Sequence, residues 1–440
     1  MHGFNDSALE SQQEKVSELL ELCEERSRNG QGAQPFSFVE LCEVQRKINT
    51  RAAVSPLSCV PLALLASVGE AIRITLLCLF NVVFSWRVFP MTWGIIPVVP
   101  VPKPGKDKQL IENHRQVSLF ESMFKLLDKL LYYRVKFRVN PFLQPWQMGA
   151  GVGSDQAAWV LDQILRIRAR SFNGVRTWLG FLDGESAFCR PPPAFILTAL
   201  WECGVNDEVW LFLHQWLGST FATLLLEGDM HGLWGVQCGV PQGGSLSMIL
   251  CFLVGTVLWK RLIDAGCGVG FRDAAGVWHL IPCILYVDDV VLLADSPEML
   301  TKALRIASKW AAEIRMRWNV GVKKSAVMAW GSGRLSNYER SFVFKMAGLV
   351  VPLVSCYVYL GVVFSCGGGW GHHVDRMRDK LRKRTGQLVW WAEQHGVTLD
   401  VLCRLWRLYV ESASLYGFSI YRRRWVRLLT GSSANWVEWF

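Results

Sequence analysis

The segment Leu285-Tyr286-Val287-Asp288-Asp289-Val290-Val291-Leu292-Leu293 constrains the fold of this chain more than any other. It sits inside an apolar run, Cys283 to Ala294, that reads as buried β-structure. Two adjacent carboxylates in such a run carry a large desolvation cost unless something positive compensates them. A tight hairpin with the Asp pair at its turn avoids that cost by placing both acids at the end of a sheet. A cation can neutralise them there. Magnesium, which takes one or two carboxylates plus substrate phosphates, suits such a place. An ordinary Asp-Asp turn gives the same local pattern, so the segment alone does not decide the chemistry.

A second site has the same form. Trp178-Leu179-Gly180-Phe181-Leu182-Asp183 is an apolar strand ending on an acid, before Gly184-Glu185-Ser186-Ala187-Phe188. If folding brings Asp183 to Asp288, the acids could clamp two ions roughly 3.5–4 Å apart, as phosphoryl transfer requires. Taken singly, Asp183 also reads as a helix cap. Between the two sites lies Gly239-Val240-Pro241-Gln242-Gly243-Gly244-Ser245-Leu246-Ser247, followed by an apolar helix to Trp259. Glycines beside a helix start let the backbone approach a nucleotide or phosphate, although a Gly-Pro turn with a Ser cap has the same composition.

In this order, F-L-D-G-E-S-A-F, G-V-P-Q-G-G-S-L-S and Y-V-D-D-V-V-L-L-A-D-S resemble motifs A, B and C of reverse transcriptases. Ile96 to Leu119 resembles the fingers segment of non-LTR (LINE-type) retrotransposon enzymes. Lys324-Ser325-Ala326-Val327-Met328 is similar to motif D, and Tyr357 to Val362 to motif E. Leu415-Tyr416-Gly417 is similar to a thumb-side L-Y-G of the same group. The resemblance runs over about residues 37–421.

That resemblance implies an α/β (α+β) right-hand polymerase whose palm is an antiparallel sheet packed on helices. It divides the chain into a polar helix and linker (1–35), N-terminal helices and fingers (36–180), palm (181–362), and helical basic thumb and tail (363–440). It implies an RNA-directed DNA polymerase working with an RNA template, a DNA primer, dNTPs and two Mg2+ ions, with Mn2+ as a substitute. Asp183, Asp288 and Asp289 become the catalytic, metal-binding carboxylates. Phe188 becomes the aromatic gate against a 2′-hydroxyl. Lys103 or Lys106, with Arg115, would grip the triphosphate. Gln242 and Gly243 would lie under the templating pair, and Lys324 would face the departing pyrophosphate. Tyr359, Leu360 and Gly361 would form the primer grip.

Some positions depart from the family pattern. Cys189 stands where Asp usually follows the gate, and Ala53 to Leu57 lacks the Gly and Asp of A-P-G-P-D. Gln147 to Ser154 lacks the arginines of its segment, and His114 and Gln116 replace Tyr and Pro. These losses, with the Trp-rich end Trp436-Val437-Glu438-Trp439-Phe440, keep open a second reading: a degenerate, inactive retroelement remnant that only binds nucleic acid.

Composition agrees with a polyanionic partner. Net charge is +10 and the pI near 9.0, with Arg382, Lys383 and Arg384 in a basic tail suited to a template–primer backbone. Hydrophobic residues at 51% and charged residues at 19% argue against extensive disorder. The 13 cysteines form no C-x-x-C pair, so neither a zinc knuckle nor a disulfide framework is indicated. Met1 to Asn29 is polar and acidic, so an intracellular protein, nuclear or cytoplasmic, is expected. Glu70 and Arg73 interrupt the apolar stretch Val60–Trp86, which predicts one or two buried helices and no stable membrane association. Periodicity predicts helices over 7–27, 119–139 and 297–317, and basic helical structure over 375–427. Ile95 to Pro104, with its prolines, is expected as an edge strand, and Tyr357 to Phe364 as a single strand.

Overall fold

The computed structural model describes residues 6–58, 60–105, 107–148, 153–172, 175–185, 190–273, 275–321, 324–412, 416–417 and 420. The chain forms two compact units that alternate along the sequence. One contains residues 1–150, 185–260 and 309–317; the other contains 151–184, 261–308 and 318–440.

The first unit is mainly helical. Helices Asp6–Arg28, Phe38–Lys47, Glu70–Trp86, Ser122–Val139, Pro193–Glu202 and Glu208–Gly218 close on Phe80, Phe84, Phe124, Trp210, Phe212 and Trp216, all fully buried. Phe124 stacks on Trp216 at 5.6 Å. Phe38–Lys47 starts where Ser37 and Glu40 form a reciprocal capping box, which satisfies two otherwise orphaned backbone donors. The Val60–Trp86 stretch becomes two helices, Leu62–Ser67 and Glu70–Trp86, with Glu70 exposed. Ser245–Asp264 is the one helix among the described residues long and apolar enough to cross a membrane, and more than half of it is buried in the protein.

Ile95–Pro102 corrects the edge-strand expectation. It lies inside a four-stranded sheet in the order His114–Ser118, Ile95–Pro102, Phe221–Leu226, Asp229–Gly235. The prolines are tolerated because the two ladders are offset. Ile95 to Val98 registers with Phe221 to Leu224 on one side, and Val98 to Pro102 with Ser118 to His114 on the other. Only Val98 is registered with both neighbours, so Pro100 and Pro102 face a partner strand on one side alone.

In the second unit, Thr177–Glu185 is the organising strand. Asp289–Ala294 pairs antiparallel with it on one side, and Ala326–Trp330 pairs antiparallel with it as well. Cys283–Tyr286 continues the sheet beyond Asp289–Ala294 as a hairpin. Residues 178–182, 290–294 and 326–330 are all buried, which explains their unbroken apolar runs. Helix Ser154–Ser171 packs on this sheet, and its buried Arg168 bonds Thr177 Oγ1 (3.2 Å), the Gly270 carbonyl and Asp295. The amphipathic helix Pro297–Glu313 ends four residues earlier than expected, giving way to a short strand, Arg317–Asn319. The strand expected over 357–364 is a hairpin, Cys356–Tyr359 and Val362–Ser365. Its turn is Leu360-Gly361, and both residues have positive φ (47° and 81°). Leu-Gly lacks the Asn or Asp that usually signals such a turn, which is why the sequence reads as continuous. The tail is helical over Gly371–Gln394 and Leu399–Trp406, with one π-helical turn at Arg407–Glu411.

Candidate active site

Strand register gathers the three acids. Asp289 lies directly opposite Asp183 in the antiparallel pair, and such partners have Cα atoms about 4.5–5.5 Å apart. The hairpin turn is Val287-Asp288, with Asp289 opening the return strand. The Gly184 amide donates to the Asp288 carbonyl at 3.1 Å, closing the end of the sheet. Val287 has φ 56°, a strained conformation for a β-branched residue. Strain of this kind concentrates at functional turns.

A single loop grips Asp183. The Asp183 amide donates to Ser325 Oγ at 3.1 Å. Its Oδ2 accepts from Lys324 Nζ at 2.9 Å and from Asn319 Nδ2 at 2.8 Å. Lys324 and Ser325 are placed by the turn that follows Asn319: the Lys324 amide reaches the Gly321 carbonyl, and the Ser325 amide the Asn319 carbonyl, both at 2.9 Å. Below the acids, Tyr357 stacks on Phe181 at 4.3 Å and donates to the Lys324 carbonyl.

The electrostatics follow from this crowding. Burial pushes the Asp289 carboxyl up to about 7, the Asp288 and Asp183 charges push the same way, and Lys324 opposes them. Burial, reinforced by Asp183 and Asp289, likewise raises the Tyr357 hydroxyl. This is a site with an excess of negative charge, and all-oxygen donors are what a hard divalent cation takes. Among the described residues, no group of three or more His, Cys, Asp or Glu side chains is arranged so that it could hold a metal ion. Magnesium does not require one, because substrate phosphates and water complete its shell. The donor set therefore fits the ion.

The other expected positions divide between the two units. Lys103, Arg115, Gln242 and Gly243 belong to the first. Arg115 is exposed and registers with Val101, and the Lys103 amide bonds the Asn113 carbonyl at 2.8 Å. The Ser118 amide, ending the Arg115 strand, donates to the Gln242 carbonyl at 2.7 Å. Gly243 has φ 149°, and a Cβ there would run into the Ser118 carbonyl oxygen. Only glycine fits. Of the expected primer grip, Tyr359 is buried against Phe181 (5.8 Å) and cannot face a primer, whereas Gly361 is exposed at the turn. Arg382 and Lys383 are exposed on Gly371–Gln394. Arg384 instead lies over the Tyr409 ring at 4.8 Å and donates to its carbonyl at 2.8 Å. Lys106 and Phe188 lie outside the described residues, as does Cys189.

Three supporting residues were not anticipated. Asp128, fully buried, accepts from the Ser245 and Leu246 amides at 2.7 and 3.2 Å and so caps the Ser245–Asp264 helix from another element. Its signal was a charge on the apolar stripe Phe124, Leu127, Leu131, Val135 of Ser122–Val139. Asn319 had no such signal. Tyr416, noted only within L-Y-G, donates to the Leu360 carbonyl, and its oxygen lies 2.7 Å from Ser154 Oγ.

An antiparallel sheet with paired carboxylates at its end is the arrangement that the motif resemblance implies for a polymerase palm. The chain belongs to the reverse transcriptase (RNA-dependent DNA polymerase) family, which it matches over residues 101–364, more than half its length. It is similar to the RNA-directed DNA polymerase from mobile element jockey of Drosophila funebris, with 20% identity over 79% of this chain and 37% of that protein. It is also similar to the probable RNA-directed DNA polymerase from transposon X-element of Drosophila melanogaster, with 22% identity over 97% of this chain and 47% of the relative. These are non-LTR elements, in agreement with the motif resemblance. The chain spans less than half the length of these curated relatives.

Proposed function

We propose that this chain is the polymerase core of a non-LTR retrotransposon reverse transcriptase, adding dNTPs to a primer 3′-hydroxyl on an RNA template. The observation that carries the reading is the register of Asp289 opposite Asp183, with Asp288 at the adjoining turn. In this reading Asp183 and Asp288 are the main ligands of two Mg2+ ions, and Asp289 adds negative charge behind them. Ions bound there would lower the pKa of the primer hydroxyl and neutralise charge on the transferring phosphoryl group. Lys324 would meet charge on the departing pyrophosphate, while Arg115 and Lys103 or Lys106 would bind the triphosphate. Phe188 gates the sugar, and Gln242 and Gly243 support the template base. The fingers, palm and thumb boundaries at 180 and 362 and an intracellular location belong to the same proposal.

Primer extension on poly(rA)/oligo(dT) with dTTP and Mg2+ or Mn2+ tests it. Asp288→Asn keeps the shape but removes charge that holds the ions, so extension should fall by orders of magnitude. Template–primer binding should persist or tighten, because one repulsive charge is gone. If the wild type binds template–primer but extends no more than Asp288→Asn with either metal, the chain is a binding remnant.

A further inference from the structure

Asp183 receives two side-chain donors of different character. Lys324 is an ammonium on a long stem with 53% of its side chain exposed, and a surface pair of this kind holds geometry weakly. Asn319 has a short side chain and ends the Arg317–Asn319 strand beside Thr177–Glu185. Its backbone carbonyl is bonded by Ser325, whose own hydroxyl receives the Asp183 amide. Both backbones are tied to this scaffold, but the Asn319 amide reaches the carboxylate on a short side chain, whereas the Lys324 ammonium reaches it on a long, half-exposed stem.

We propose that Asn319 is a positioning residue that sets the rotamer of Asp183 and thereby the site's affinity for a divalent cation. Lys324 is the exchangeable partner. It neutralises Asp183 while no ion is bound and competes with the ion for the same oxygen. When it leaves, the Asn319 amide keeps the carboxylate in place. This inference rests on the metal-binding reading of Asp183 and adds the residue that orients it. Partners of this kind typically change metal affinity by about 10–100-fold when removed.

The test is Mn2+ binding to the purified full chain, followed by electron paramagnetic resonance, beside the Mg2+ concentration giving half-maximal primer extension. Asn319→Ala should weaken Mn2+ binding by about tenfold or more and raise the Mg2+ requirement in parallel. Template–primer affinity should not change. Asn319→Gln, which keeps the donor on a longer stem, should recover part of the loss. Lys324→Met should leave Mn2+ binding equal or tighter, because a competing cation has been removed. Equal Mn2+ affinity in Asn319→Ala and wild type overturns the proposal, as does equal weakening in Asn319→Ala and Lys324→Met. It also falls if Asn319→Ala is unfolded at the assay temperature without ions while Asn319→Gln behaves no differently, for then the residue serves folding alone. Asp183→Asn separates this result from the underlying reading: if it binds Mn2+ as wild type does, the metal assignment itself fails.

Discussion

At the scale of the residue, the most informative side chains lie where local sequence rules are broken. Asp128 is an acid on an apolar helix face, and burial raises its carboxyl from 3.8 to about 6. The Ser245 and Leu246 amides and the positive end of that helix offset part of the cost. The sign follows from linkage. The folded state holds this proton more tightly than the unfolded chain, so stability should fall as pH rises from about 4 to about 6 and then level off. The loss is on the order of 3 kcal/mol, at about 1.4 kcal/mol per tenfold change in proton affinity. Asp128→Asn should remove that dependence. Its stability relative to wild type, from urea unfolding, should improve across the same interval, and a constant difference would refute the argument. Asp128→Ala leaves two buried amides without an acceptor and removes the same titrating group, so its cost relative to wild type should be largest below about pH 4 and shrink as pH rises to about 6.

At the scale of the element, legibility depended on whether a rule had one structural solution. The Asp-Asp hairpin, the strand ending on Asp183 and the long amphipathic helices were readable because period and polarity left few alternatives. Ile95–Pro102 departs from the edge-strand expectation because proline excludes only doubly paired positions, and this strand is doubly registered only at Val98. The 356–365 hairpin carries no turn signal in the sequence because Leu360 occupies a left-handed position usually filled by Asn or Gly. That turn depends on Tyr416, whose ring would lie 3.0 Å from a Cβ on Gly361. Gly361→Ala should therefore destabilise by at least the roughly 1–2 kcal/mol of a left-handed L-residue. Tyr416→Phe, without the hydroxyl that bonds the Leu360 carbonyl, should cost about 0.5–1.5 kcal/mol. The two substitutions act on the same ring-and-turn packing, so the double variant should be less destabilised than their sum. Additive effects in chemical denaturation would show that ring and turn are independent.

At the scale of the whole molecule, the +10 charge predicts salt-sensitive association with nucleic acid. Lys383→Ala should flatten the log–log salt dependence by about 0.9 for each duplex phosphate no longer neutralised. Arg384→Ala should behave differently. Its guanidinium is engaged by Tyr409, so its removal should lower the melting temperature and leave the slope nearly unchanged. A slope change from Arg384 as large as that from Lys383 would mean that Arg384 neutralises phosphate as well. No part of this division was visible in the sequence, where the three cations form one run.

The pairing of Asp289 with Asp183 has a consequence for how such a gene can decay. A hydrogen-bonded ladder counts residues, so it acts as a ruler as well as a support. One codon inserted between Thr177 and Asp183 would leave composition and hydrophobicity almost untouched. Yet it would turn downstream side chains to the opposite face of the strand. Two inserted codons would restore the face but displace the acid by about 6.6 Å along the strand. Point substitutions can therefore accumulate around this sheet end while the acids stay aligned, whereas a small in-frame insertion or deletion in the same strand would misalign them at once.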